Sequence, residues 1–290
     1  LPLDGLLPLA SSQIALSRTD PYGSPGGPSP CTEIEQLHLA AIARAERLIY
    51  AETQYMSSHK FTTALEARMR EPGRGRLEIV LVLNMRGETL KEQAAVGLAQ
   101  AQNIDRLRRT AKETGHALGM YYTLPACDAD ATPERATYIH SKLMIVDDRF
   151  LTVGSANLTN RSMVLDTELN LSIEGEDAED ALGRSILGVR ASLLAEHTGG
   201  AELRQVEGLV AALDAIAAGG SEPGAHEPCR LRFHPSPTTS ERAALALIDP
   251  QSLPFDPDQI EELDEESRQD FLSGLGKRVR DLFSSRRDKG

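Results

Sequence analysis

Residues 138–163 read YIHSKLMIVDDRFLTVGSANLTNRSM, and six positions in this run set how the whole chain is read: His140, Lys142, Asp147, Gly154, Ser155 and Asn157. Apolar residues run on either side of Asp147, Asp148 and Arg149. This predicts two strands, 138–146 and 150–153, joined by a polar turn, with TELNLSIEG as a third strand. Residues i and i+2 of a strand share a face, so His140 and Lys142 project together while Ile139, Ser141 and Leu143 turn the other way. Ser155 and Asn157 behave likewise if their segment is extended. At ordinary residue usage, these six fixed positions arise by chance with odds on the order of 10⁻⁶ to 10⁻⁵, so the spacing is a signal.

Working outward, helices and strands alternate. EIEQLHLAAIARAERL, with Thr32 as N-cap, and FTTALEARMRE are predicted helices. LIYAE and LEIVLVLN (Leu77 to Asn84) are buried strands, and KEQAAVGLAQAQNIDRLRRTAKETG is a long helix ending at Gly115. ALGMYYTLP is a further strand, CDADATPERAT a polar loop, and 176–196 and 201–218 are helices. The rhythm predicts an α/β fold: an α-β-α sandwich with a mixed sheet, followed by an irregular, partly helical C-terminal extension. The expected units are 1–30 (entering strand and linker, with Pro, Gly and Ser dense in TDPYGSPGGPSPCT), 31–200 (the unit that carries the motif) and 201–290 (extension). The domain boundary falls between 198 and 222. EELDEESRQDFLSGLGKRVRDLF is the helix expected in the extension, and no internal repeat is visible.

Composition narrows the classes. The 290 residues are 26 % charged with a net charge of −12, which argues against a general nucleic-acid binder because phosphate-backbone affinity needs clustered Lys and Arg. Cys31, Cys127 and Cys229 are few, far apart and odd in number, and read as unpaired thiols. No apolar run is long enough to span a bilayer, and LPLDGLLPLA lacks the basic start of a signal peptide, so the expected location is cytoplasmic or on a membrane surface. The missing initiator Met reads as a processed or truncated chain. The basic end GKRVRDLFSSRRDKG either attracts anionic lipid headgroups or is a solvated helix end, and the second reading is preferred.

The side chains of the motif suit a phosphodiester. A neutral imidazole attacks phosphorus, Lys142 is a point charge for non-bridging oxygens, and Ser155 and Asn157 are neutral donors to the same oxygens. Lysine thus does a metal's work. No metal and no cofactor are expected, since no His and carboxylate cluster surrounds the motif. The other histidines, His38, His59, His116, His197, His226 and His234, read as surface or capping residues.

HSKLMIVD followed by GSAN resembles the HxKxxxxD and GSxN signature of the phospholipase D superfamily. LIYAETQYMSS (48–58) is similar to the IYIENQYF segment that opens the second half of phospholipases D proper, with Thr53 where that family usually has Asn. ILGVRASLLAEHTG (186–199) resembles the helix after their second motif, and LSRTDP (16–21) the strand entering that half. Together these cover roughly residues 12 to 200. The resemblance implies a phosphohistidine mechanism in which one histidine attacks phosphorus, a second protonates the leaving oxygen, and water or an alcohol releases the phosphoenzyme. His140 takes one of those roles, Asp147 is a structural anchor, and Glu168, with Asp166 behind it, holds the other ring nitrogen of His140.

The chain carries only one such motif. The second half is therefore expected either in trans, from a homodimer, or in cis, from a longer enzyme of which this is the C-terminal half, and the branch-specific stretches favour the latter. The implied reaction is hydrolysis of phosphatidylcholine-like phospholipids to phosphatidic acid. The alternatives are a phosphatidyltransferase, a homodimeric nuclease and an inactive half serving as a binding module.

Overall fold

The computed structural model describes residues 7–11, 13–22, 30–85, 97–125, 135–219 and 231–237. Nine strands form one mixed sheet in the order β2-β1-β8-β7-β6-β3-β4-β5-β9. They are β1 (Ala15–Asp20), β2 (Cys31–Thr32), β3 (Leu48–Thr53), β4 (Glu78–Leu83), β5 (Ala117–Thr123), β6 (Leu143–Val146), β7 (Phe150–Gly154), β8 (Glu168–Glu174) and β9 (Leu231–Phe233). β3, β4 and β5 run parallel and the other pairings are antiparallel. Among the described residues, five α-helices flank the sheet: α1 (Glu33–Arg44), α2 (His59–Arg70), α3 (Leu98–Thr114), α4 (Ala181–Thr198) and α5 (Leu209–Ala217), and a π-helical turn spans Arg161–Leu165.

Strand parity sorts the core into two layers. Ile49, Ala51, Ile79, Leu81 and Leu83 pack with Ile34, Ile42, Phe61, Leu65 and Ile104 of α1, α2 and α3. Their alternates Leu48, Tyr50, Val80 and Val82 pack with Ile186 and Leu194 of α4 and Leu209 and Leu213 of α5. β3 and β4 are buried along their whole length because helices cover both faces, and that is why their sequences lack apolar-polar alternation. The arrangement is an α-β-α sandwich.

Local chemistry ends the helices where the sequence places its signals. Ser58 caps α2 by accepting the Phe61 amide at 3.2 Å, Asp180 caps α4 through Gly183 at 2.6 Å, and Gly115 closes α3 in the left-handed region. Thr32 precedes α1, but its hydroxyl accepts from Gln36 Nε2 instead of capping a backbone amide.

Several expectations are revised. The strand predicted from residue 138 enters the ladder only at Leu143, so His140 and Lys142 lie on an extended lead-in. The helix expected from 201 begins at Leu209. α5 packs in the same layer as α4, and β9 adds to the sheet beside β5, so the expected extension begins inside the sandwich. His38 and His197 are buried, His38 with Nδ1 2.8 Å from the Ile34 carbonyl oxygen, and His234 is buried with Nε2 3.1 Å from the Asn84 carbonyl oxygen. Cys31 is a free, buried thiol. Cys127, Cys229, His226, the loop before the motif from Asp128 to Pro133, and the predicted C-terminal helix with its basic end lie outside the described residues.

Candidate active site

The site lies at the carboxyl ends of the parallel strands, where open α/β sheets bind their ligands. Three registers assemble it. Glu52 of β3 faces Leu143 of β6, Leu143 faces Val153 of β7, and Gly154 faces Asn170 of β8. The lead-in carrying His140 and Lys142 therefore runs beside the GSAN turn, with the Gly154 amide donating to the Lys142 carbonyl at 3.1 Å. Gly154 is needed for this approach. A Cβ there would overlap the Leu169 carbonyl oxygen and lie 2.6 Å from Asn170 Cα.

His140 stands exposed, its ring stacked on Tyr138 with centroids 5.8 Å apart and planes 19° from parallel. Lys142 is 8 % exposed, and its ammonium donates to the His140 carbonyl at 2.8 Å and to Gln54 Oε1 at 3.2 Å. Burial pulls the Lys142 pKa below the ordinary lysine value, and the nearby Glu168 carboxylate offsets part of that shift. Gln54 also donates through Nε2 to the Tyr138 hydroxyl, so one amide positions both the cation and the ring under His140. Asn157 Oδ1 lies 3.3 Å from the Thr53 hydroxyl, which also accepts the Leu158 amide at 3.2 Å. The Asn157 amide nitrogen has no partner among the described residues and remains available as a donor.

The structure brings His140, Lys142, Ser155, Asn157 and Glu168 to one end of the sheet. Asp147 lies at the other end of β6. Its carboxylate accepts the amides of Glu46, Arg47 and Leu48, each at 2.8 Å, and so ties the β6–β7 turn to the start of β3. Asp147 and Asp148 both adopt positive φ, 54° and 55°, with the Arg149 amide closing the turn on Val146 at 3.1 Å. Two successive residues of positive φ follow the pattern of a type I′ turn, and the register that sets Val146 opposite Phe150 leaves residues 147–149 between the strands.

Glu168 differs from expectation. Its carboxylate accepts the Ser155 hydroxyl rather than a His140 ring nitrogen, while Ser155 Oγ accepts the Leu169 amide at 3.1 Å. Asp166 is paired with Arg161 at 2.7 Å. Gln54, Thr53 and Tyr138 contribute to the site as well. The first two sit in the LIYAETQYMSS stretch, and parity places Tyr138 on the His140 face.

Residues 38–186 match the family model described as cardiolipin synthase, PLD-like domain. Phospholipase D alpha 4 of Arabidopsis thaliana is 45 % identical over 65 residues, 22 % of this chain and 8 % of that protein. Phospholipase D of Phytophthora infestans is 28 % identical over 228 residues, 64 % of this chain and 12 % of that protein. The chain thus spans a small part of the length of these relatives. Among solved structures, the phospholipase D family member Nuc of Salmonella typhimurium aligns with a TM-score of 0.42 at 16 % identity, covering 67 % of this chain and 99 % of that one. Phosphatidylserine synthase of Haemophilus influenzae aligns with a TM-score of 0.44 at 21 % identity, covering 71 % and 46 %.

Proposed function

Because this chain belongs to the phospholipase D superfamily through its PLD-like domain, we propose that it is one half of a phospholipase D-type phosphodiesterase that hydrolyses phosphatidylcholine-like phospholipids to phosphatidic acid. The observation that carries the reading is the exposed His140 next to the Lys142 ammonium, which donates to the His140 carbonyl, with Ser155 and Asn157 on the adjoining turn. A His140 ring nitrogen attacks phosphorus, the P–O bond to the headgroup breaks, and the leaving oxygen takes a proton from the second half's histidine. Water then attacks phosphorus and gives a proton to that partner group, and the P–N bond breaks. An alcohol in place of water transfers the phosphatidyl group. Lys142 and the neutral donors offset the charge that builds on the non-bridging oxygens. His140 and the partner histidine exchange nucleophile and acid roles by position, and the chemistry is the same in either assignment.

One histidine does not complete this cycle, so the site needs a second half. Leu16, Leu171 and Val153 form one cross-strand row on the α4 face of β1, β8 and β7, with Leu16 and Val153 exposed and exposed Leu169 beside them. Ser155 and Glu168 sit at the ends of the same strands. This apolar surface continues into the incomplete site and suits a second motif-bearing half as its cover. The relatives named phospholipase D and the net charge of −12 favour a lipid over a nucleic acid. No helix among the described residues is long and apolar enough to cross a membrane, and the proposed substrate is met at a membrane surface.

The test is choline release from phosphatidylcholine vesicles in chelator, by the chain alone and mixed with a first-motif half, with His140→Asn as control. Release only in the mixture, lost in the control, supports the reading with the second half in cis. Release by a dimer of this chain alone means that two His140 residues share one phosphate. No release in either case, with DNA cleaved by the purified protein, puts a nuclease in its place.

A further inference from the structure

Behind the motif, on the α4 face, lies a buried carboxylate that the proposed chemistry does not use. Glu52, at the end of β3, is 2 % exposed. Its Oε1 meets His197 Nε2 at 2.8 Å and accepts the Tyr50 hydroxyl, and its Oε2 accepts the hydroxyl of Ser141. Burial alone would raise the Glu52 pKa, but the bonds from His197, Ser141 and Tyr50 outweigh it and hold the carboxyl below its ordinary range.

Ser141 is the residue between His140 and Lys142. It faces one side of the extended lead-in while they face the other. That lead-in is outside the ladder, because β6 begins at Leu143. Strand pairing therefore does not hold it, and a few bonds do. The Thr137 amide donates to the Thr123 carbonyl at 2.7 Å, the Ile139 amide donates to Asn84 Oδ1 at 2.6 Å, the Lys142 carbonyl accepts the Gly154 amide at 3.1 Å, and the Ser141 hydroxyl reaches Glu52. Of these, only the Ser141 bond acts on the residue flanked by both motif side chains. Its acceptor is in turn clamped from α4 by a histidine 145 positions away in sequence.

We propose that Glu52, clamped by His197, is a positioning residue that sets the place of His140 and Lys142 through the Ser141 hydroxyl. The pair joins the two stretches flanking the motif, LIYAETQYMSS and AEHTG, so their contribution to the site is one hydrogen-bonded brace. The inference rests on the phosphodiesterase reading where turnover is the readout, and it is given a second readout that does not.

The experiment compares Ser141→Ala, Ser141→Thr, Glu52→Gln and the double variant Ser141→Ala/Glu52→Gln in the full chain. Tyr121→Phe serves as a control that removes a buried bond on the same face, to Asp214 at 2.7 Å, away from the site. In the assembled enzyme, Ser141→Ala is expected to lower kcat by about 10- to 100-fold at unchanged KM, the range typical of residues that orient a reactive group. Ser141→Thr restores it, the double variant is no worse than the worse single, and Tyr121→Phe leaves kcat alone at a comparable loss of Tm. The second readout is the imidazole nitrogen resonances of His140 in the chain by itself, which are expected to move in Ser141→Ala and Glu52→Gln but not in Tyr121→Phe. If those resonances stay put in both brace variants, the positioning role is overturned whether or not the protein turns over lipid. If they move while wild type hydrolyses no phosphodiester, the brace stands and the proposed function falls.

Discussion

Asp148 and Arg190 form a two-pronged ion pair, Nε to Oδ1 at 2.7 Å and Nη2 to Oδ2 at 2.8 Å, with the arginine fully buried and the aspartate 4 % exposed. It ties α4 to the β6–β7 turn. Arg190 gives two further N–H groups to the carbonyls of Leu203 at 3.1 Å and Arg204 at 2.8 Å. The two aspartates of one turn thus anchor in different directions, Asp147 to the backbone of β3 and Asp148 to α4.

Breaking this pair from one side strands a buried charge, which costs about 3–5 kcal/mol, more than an exposed pair contributes. Asp148→Asn and Arg190→Met are each expected to lose stability of that order in urea unfolding, since each leaves its partner's charge buried and unpaired. Asp148→Asn/Arg190→Met, which removes both charges, is expected to lose clearly less than the sum of the singles. Additive losses would mean that the two residues do not act as a pair.

Gly154 makes a sharper steric case. Alanine there presses its Cβ onto the backbone of Leu169 and Asn170, so β7 and β8 must separate where they carry Ser155 and Glu168. The expected loss is about 1–3 kcal/mol of stability, with turnover falling further than the stability loss explains. Gly188→Ala in α4 is the control. Its Cβ meets nothing within 4 Å, and the helix should gain about 0.5–1 kcal/mol from it. Equal behaviour of the two alanine variants in thermal unfolding would refute the close approach at Gly154.

The sandwich was legible because its periodicities are strong. LEIVLVLN is apolar on both faces only if helices cover both faces, and β4 is buried throughout. The short strands were not legible, because Cys31–Thr32 and Leu231–Phe233 are strands only by virtue of their partners β1 and β5. The HxK spacing predicts a shared face for His140 and Lys142, on a segment held outside the ladder by a few backbone and side-chain bonds. Partners distant in sequence were beyond reach. His197 looks like any helix-end histidine until α4 folds back over Glu52, and Glu168 chooses Ser155 because the β7–β8 register sets Gly154 opposite Asn170.

The Lys142 ammonium offers a pH test whose sign follows from its surroundings. Burial disfavours the charged form, so its pKa is lowered, and the Glu168 carboxylate pushes the other way. The charged form, which the phosphate needs, is lost as pH rises through a point below the free-lysine value of about 10.4. Removing the Glu168 charge takes away the opposing effect, so Glu168→Gln should move that point further down. Gln54→Leu deletes an acceptor of the ammonium and should act in the same direction. The measurement is the resonance of an isotope-labelled Cε of Lys142, followed from neutral to strongly alkaline pH in the three proteins, which reads the lysine without relying on turnover. A midpoint at or above the free-lysine value in wild type would overturn the dominance of burial, and an upward move in Glu168→Gln would remove Glu168 as the counter-charge of Lys142. A downward move of the midpoint with a matching shift in the alkaline limb of activity would assign that limb to Lys142 rather than to either histidine.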